Sequence, residues 1–262
     1  MQITGRHVVV TGGGGGIGGA LARRLDAEGA RAVVVADRDL AGASAVADEI
    51  GGLAVQFDAG REDGVNALIA QAVEANGAID IFISNAGVPG EGGGPGASDA
   101  AWDEAWRVNV MAHVWASRAL LPEMLDRGEG YLINTASAAG LLTQVSSLIY
   151  SVTKHAAVAL AEWMAIEYGD AGIRVSCICP QGVRTPMLEL AMDEPAAAAA
   201  LTAGGLLEPD EVAESVVEGI EAERLLILPH AEVAKFMALK GSDPERWIAG
   251  MRRLVRNARA GA

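Results

Sequence analysis

Cysteine is nearly missing from this sequence: Cys177 and Cys179 are the only two in 262 residues. They alternate along an apolar run, so they point the same way, and no further Cys or His stands at metal-ligand spacing from them. That argues for two core thiols and against a metal site. Long hydrophobic runs are also lacking. Although hydrophobic residues make up 51% of the chain, no uninterrupted apolar stretch reaches the length of a membrane span. The first residues lack the basic-then-apolar order of a signal peptide, so the expected location is the cytoplasm, away from any membrane. Positive charge is scarce as well: 20 Lys and Arg against 34 Asp and Glu leave a net charge of −14. Phosphate backbones are held by clustered Lys and Arg, so no nucleic-acid partner is expected. No internal repeat of solenoid period is evident.

What is present is an alternation. Short runs rich in β-branched residues at 8–10, 33–36, 53–57, 79–84, 131–135, 175–179 and 225–228 read as strands. Stretches of helical period fill 17–28, 39–49, 62–76, 99–127, 148–170 and 209–222. The order implies the α/β class: one Rossmann-type, doubly wound parallel sheet with helices on both faces and ligands beyond the carboxyl ends of its strands. A chain of this length can bury one sizeable core, so 1–262 is expected to form a single domain. Two segments read as loops by composition. Residues 88–97 carry five glycines and two prolines; residues 185–205 carry Pro186, Pro195 and Gly204-Gly205, and are expected to cover a substrate. Within the second, Ala196 to Ala200 suggests a short helix. Residues 231–262 form a C-terminal extension.

Thr11 to Gly19 holds seven glycines in nine positions, directly after the first strand and at the start of the first helix. A strand turning tightly into a helix presents free backbone N–H groups and the positive end of the helix dipole, which suit a diphosphate. Asp37 closes the second strand 19 residues after Gly18, completing a dinucleotide-binding unit. Its carboxylate can accept hydrogen bonds from both ribose hydroxyls and repels a 2′-phosphate, which favours NAD(H). Arg38 is the nearby positive group, read as a solvated or adenine-stacking residue.

Thr11-Gly12-x-x-x-Gly16-Ile17-Gly18, Asn85-Ala86-Gly87, Asn109, Ser137, Tyr150-x-x-x-Lys154 and the segment Pro180 to Pro186 occur in that order. In this, roughly residues 3 to 230 resemble the short-chain dehydrogenase/reductase family. The resemblance implies a catalytic set of Ser137, Tyr150, Lys154 and Asn109. Ser137 would bind the substrate oxygen, Tyr150 would exchange its proton, Lys154 would hold the nicotinamide ribose, and Asn109 would hold a water in a proton relay. Cofactor contacts would come from Gly12, Gly16, Ile17, Gly18, Asp37, Arg38, Asp58, Ala59, Asn85, Ala86 and Gly87, then from Tyr150, Lys154, Pro180, Gly182, Val183 and Thr185. Asp58 would meet the adenine. Gln181 departs from the family pattern, where glycine is usual, and with Leu141 and Met187 it joins Ser137 and Tyr150 as an expected substrate contact.

A spacing of four puts Tyr150 and Lys154 on one helix face. A phenol that acts as a base near neutrality needs its pKa about three lower than ~10, roughly 4 kcal/mol. One ammonium at ~4 Å in an effective dielectric of ~20 supplies about that much. The implied reaction interconverts a secondary alcohol and a ketone, with NAD(H) as cofactor. An NADPH-dependent ketoreductase and a non-catalytic dinucleotide-binding regulator stand as alternatives. The aliphatic run Gly140-Leu141-Leu142 and the Met- and Leu-rich run Met187 to Met192 would line the pocket or simply pack as core. His113 and His155 are read as packing residues and Ser147 as a helix cap.

Trp102, Trp106, Trp115 and Trp163 on the two long helices suggest a homo-oligomer, a tetramer by resemblance. In the extension, Trp247, Ile248, Met251, Leu254 and Val255 form an apolar helical stripe with arginines largely off it. The stripe is expected to dock on protein and the arginines to face the acidic body or a neighbouring subunit; a solvated basic helix end is the alternative. Residues 235–262 carry seven Lys and Arg against Asp243 and Glu245, a local net of +5.

Overall fold

The computed structural model describes residues 1–90, 92 and 94–261, so Glu91 and Gly93 of the glycine-rich loop and Ala262 of the extension lie outside the described residues. Seven strands run β1 His7–Thr11, β2 Ala32–Asp37, β3 Leu53–Gln56, β4 Ile81–Ser84, β5 Gly130–Thr135, β6 Ile173–Ile178 and β7 Leu226–Ile227. They pair in parallel in the order β3-β2-β1-β4-β5-β6-β7. The helices are α1 Gly16–Ala27, α2 Leu40–Ile50, α3 Glu62–Asn76, α4 Asp99–Trp106, α5 Ala112–Arg127 and α6 Ala139–Leu142. They continue as α7 Leu148–Tyr168, α8 Pro186–Met192, α9 Pro195–Leu201, α10 Pro209–Glu221, α11 Ala231–Ser242 and α12 Pro244–Ala260.

The side-chain period of two in a strand sorts the valines to opposite faces. Val8, Val10, Val33, Val35, Ile81 and Ile83 pack with Leu21 and Leu25 of α1 and Val212 and Val216 of α10. Val9, Val34, Phe82 and Leu132 pack on the other face with Leu68 of α3, Met124 of α5 and Ala161 of α7. Both faces are covered, which is why the strands read as continuous apolar runs rather than alternating ones. Each fully buried Val, Leu or Ile contributes about 1.5–3 kcal/mol. The strand order reverses between β1 and β4, and there the sheet opens a crevice at its carboxyl edge.

Three expectations change. The 99–127 helix is interrupted at Arg107–Met111 by a π turn, whose extra residue lets the Asn109 amide reach the backbone of Val88. Segment 185–205 carries, besides the short helix expected at 196–200 and found as α9, a second helix α8 where a loop was expected, each with proline in its first turn, where a missing N–H costs nothing. Trp115 is buried in the core rather than exposed. At the start of α7, Ser147 holds the N-cap position, but its side chain makes no capping bond. Among the described residues no helix is long and apolar enough to cross a membrane.

Candidate active site

The glycine turn shows why bare backbone is needed. Gly12 has φ +64°, and a Cβ there would stand 2.9 Å from the Cα of Ala86; a Cβ on Gly18 would stand 2.0 Å from the carbonyl oxygen of Gly12. Gly15, by contrast, faces open space at the N-cap of α1 and contributes no capping side chain. The first N–H groups of α1 thus face the crevice with the helix dipole behind them, a fit for a diphosphate. Thr11 and Asn85 lock the two strand ends beneath it. The Thr11 hydroxyl accepts from the backbone N–H of Asn85 and Ala86 at 2.9 and 3.1 Å, and the Asn85 amide donates to the Thr11 carbonyl at 3.0 Å. Asp37 at the end of β2 accepts from the N–H groups of Gly14 and Asp39, each at 3.0 Å. One bond per oxygen leaves each carboxylate oxygen a lone pair for a ribose hydroxyl.

A cleft of about 1310 Å³ runs from this turn across the sheet edge to α8 and α9. It is lined by Gly12, Gly16, Ile17 and Gly18, by Asp37, Arg38, Asp58 and Ala59, and by Asn85, Ala86 and Gly87. On its far side lie Ser137, Tyr150, Lys154, Pro180, Gln181, Val183, Thr185 and Met187. The sequence expectations therefore converge on one cavity, with three exceptions. Gly182 is buried outside the cleft: its carbonyl accepts from the N–H of Leu207 at 3.1 Å, and a Cβ would stand 2.5 Å from the Leu201 carbonyl oxygen. Leu141, with Gly140 and Leu142, belongs to α6 beneath the extension and does not line the cleft. Asn109 is fully buried behind it, with Oδ1 accepting from the Val88 N–H and Nδ2 donating to the Val88 carbonyl and the Thr153 hydroxyl.

At the cleft floor, α7 carries Tyr150 and Lys154 one turn apart, with Lys154 Nζ 5.5 Å from the centre of the Tyr150 ring. Lys154 is buried and donates to the Thr135 carbonyl at 2.8 Å. Burial pulls its pKa down to about 8. Tyr150 opens to the cleft, yet the protein packed around it raises its pKa, while a hydrogen bond with Ser137 acts the other way. The expected lowering of the phenol by Lys154 is therefore not realised by the protein alone: desolvation outweighs the Ser137 hydrogen bond, and Lys154 is not among the causes of the shift. Ser137, at the turn after β5, donates to the Pro180 carbonyl at 3.3 Å and accepts from the Ala139 N–H at 3.1 Å. Gly87 sits between the catalytic candidates: a Cβ there would lie 3.3 Å from Asn109 Oδ1 and 3.4 Å from Lys154 Nζ.

Gln181 faces the cleft but turns its amide away from it. Nε2 donates to the Ala200 carbonyl in α9 at 2.6 Å, while its backbone N–H donates to Nδ1 of the buried His230 at 3.1 Å. His113 is buried with neither ring nitrogen hydrogen-bonded, and burial together with the nearby Lys154 pulls its pKa down to about 3. Among the polar cleft residues not anticipated from sequence are Glu194 and Arg259. Glu194 accepts from the Ser146 hydroxyl at 2.7 Å and from the Ala197 N–H at 2.6 Å, and pairs with Arg259 of α12 at 3.4 Å. Their separation of 65 residues gave no local signal.

Residues 6–195 match the short chain dehydrogenase family. A 2,5-dichloro-2,5-cyclohexadiene-1,4-diol dehydrogenase of Sphingobium indicum is 38% identical over 226 residues, 82% of this chain and 90% of the relative. A 2-(R)-hydroxypropyl-CoM dehydrogenase of Xanthobacter autotrophicus is 36% identical over 203 residues, 72% of this chain and 79% of the relative. The crystal structure of a short chain dehydrogenase/reductase from Burkholderia phymatum in complex with NAD superposes with a TM-score of 0.83 at 31% identity, covering 94% of this chain and 96% of that one. Sequence and architecture agree over most of the length, and this chain belongs to the short-chain dehydrogenase/reductase family of oxidoreductases.

Proposed function

We propose that the chain, acting as one domain, interconverts a secondary alcohol and a ketone with NAD(H), and that Tyr150 gives or takes the hydroxyl proton. The observation that carries this is the meeting of Ser137, Tyr150 and Lys154 on the floor of the same cleft whose other end is the glycine turn. A bound nicotinamide supplies the hydride donor or acceptor. The protein's own residues do the rest. Ser137 holds the substrate oxygen, Tyr150 moves the proton, and Lys154 supplies positive charge beside the phenol and donors for the nicotinamide ribose. The Asn109 amide is already engaged with Val88 and Thr153, so a water-holding role in the relay falls to its backbone carbonyl in the π turn. Val183 and Thr185, on the cleft wall, would contact the nicotinamide, and α8 with Met187 would cover the substrate. The named relatives, dehydrogenases of a diol and of a hydroxypropyl compound, support an alcohol substrate.

Asp37 supports NAD over NADP: a 2′-phosphate beside it would meet roughly 1–4 kcal/mol of repulsion per charge pair. That corresponds to about tenfold to a thousandfold in catalytic efficiency. The test is a screen of secondary alcohols with both cofactors, read by absorbance of the reduced form. Equal or better rates with NADP would overturn the assignment and point to Arg38. The exposed apolar residues Val152, Trp163 and Ile166 on α7 support a homo-oligomer, and the family resemblance makes it a tetramer.

A further inference from the structure

Beside the main cleft lies a second groove of about 540 Å³. Its apolar walls are Leu142 and Val145 on one side and Trp247, Ile248, Met251 and Val255 of α12 on the other. Arg252, Arg256 and Arg259 complete the rim. Thr143 and Arg259 line both cavities, so the groove adjoins the reaction cleft. The α12 stripe expected from the sequence docks only in part. Trp247 packs on Phe236 of α11 with ring centres 6.0 Å apart, while Ile248 remains 55% exposed along the groove. One of the arginines meets the expectation of facing the acidic body. Arg259 pairs with Glu194, but Arg252 and Arg256 are exposed and form no ion pair among the described residues. A merely solvated basic face would not need its charges gathered around an apolar groove beside the cleft. In a chain of net charge −14, these two guanidinium groups are a local exception in sign.

We propose that this groove is a substrate subsite for an apolar chain ending in an anionic group, which makes the favoured alcohols hydroxylated fatty acids or anions of that shape. The inference rests on the oxidoreductase reading above. The reacting hydroxyl lies at Ser137 and Tyr150, the chain passes Thr143 along Trp247, Met251 and Val255, and the terminal carboxylate meets Arg252 and Arg256. Guanidinium suits that end because its planar fork of donors matches a carboxylate.

The experiment compares a medium-chain fatty acid carrying a secondary hydroxyl next to its methyl end with the neutral secondary alcohol of equal length. Their kcat/KM ratio is read in the wild-type chain and in the Arg252→Gln/Arg256→Gln variant. The wild type is expected to favour the acid by roughly tenfold, about 1.4 kcal/mol. The ratio should fall towards one in the variant and also in the wild type at high salt, since exposed charges are screened. Calorimetry with the corresponding unhydroxylated fatty acid provides a readout independent of turnover, and binding should weaken in the variant by a similar factor. Fatty-acid binding lost in the variant, with no alcohol oxidised by either protein, would keep the groove and remove the oxidoreductase reading. Turnover of both alcohols with an unchanged ratio would overturn the groove and keep the enzyme. An unchanged ratio accompanied by a lower light-scattering mass in the variant would make the groove an interface between copies, which also overturns the proposal.

Discussion

Tyr150 and Lys154 are displaced in the senses opposite to those of a simple phenolate–ammonium pair: the phenol rises and the ammonium falls. Their spacing was legible in the sequence, but the dielectric around them was not, because burial depends on β5, the Thr135 carbonyl and the floor of the cleft. Tyr150→Phe is expected to cut oxidation more than a hundredfold, within the range lost with a general acid–base group, while NADH binding stays near normal. Steady-state rates and a fluorescence titration check both halves; retained turnover would mean the proton moves elsewhere. Lys154 makes a separate prediction about stability. Below about pH 8 it is charged in both the folded and the unfolded chain, so the folded state bears the whole burial penalty, ~3 kcal/mol. Between about pH 8 and its ordinary 10.5 the folded chain releases the proton first, and the penalty fades as pH rises. Lys154→Met should therefore be inactive yet more stable at pH 7, by roughly 1–2 kcal/mol once the lost bond to Thr135 is subtracted. The advantage should shrink towards pH 10. Urea unfolding at the two pH values measures it, and no gain at pH 7 would show the ammonium to be hydrated.

At the scale of elements, the seven strands and the long helices were readable because their apolar periods report burial directly. What escaped was set by tertiary contact or by the double meaning of a residue type. Pro186 read as a loop signal and in fact opens α8, whereas the alanine run did announce α9. The π turn at Asn109 exists for a hydrogen bond to a backbone 21 residues away, which no local pattern announces. Gly182 and Leu141 stood beside cleft residues in sequence but point into packing instead, since adjacent residues do not share a face. Gln181 shows the same effect usefully: in place of glycine it ties the cleft wall to the end of α9. Gln181→Gly should remove one buried hydrogen bond, about 1 kcal/mol, and loosen the cover. The expected outcome is a KM raised about fivefold with kcat little changed, and faster proteolysis within 186–205. Unchanged kinetics and protease resistance would show that α9 is held by its other contacts alone.

Across the whole molecule, apolar surface is left on one side of α7. Val152, Trp163 and Ile166 are 40%, 53% and 82% exposed, and spacings of eleven and three residues put them along one stripe. Trp106 of α4, 40% exposed, adds to the apolar surface. Single exposed hydrophobics are ordinary, but an aligned set with a tryptophan is the composition of a contact face. Tyr150 and Lys154, the proposed catalytic pair, lie on the same helix, so pairing through this stripe would brace the cleft floor from outside. A two-fold interface uses the same stripe from each copy, so every substitution acts twice. Burying Trp163 and Ile166 in both copies is worth about 1.5–3 kcal/mol per side chain, enough for a thousandfold or more in the dissociation constant. Light scattering at micromolar concentration should therefore find the wild type as an oligomer and Trp163→Glu/Ile166→Glu as a smaller species. If assembly braces the active-site floor, dilution of the wild type and the double substitution should lower kcat together, with cofactor affinity read alongside by fluorescence. A wild type that is monomeric at that concentration would remove the interface and leave the α7 stripe as ordinary surface.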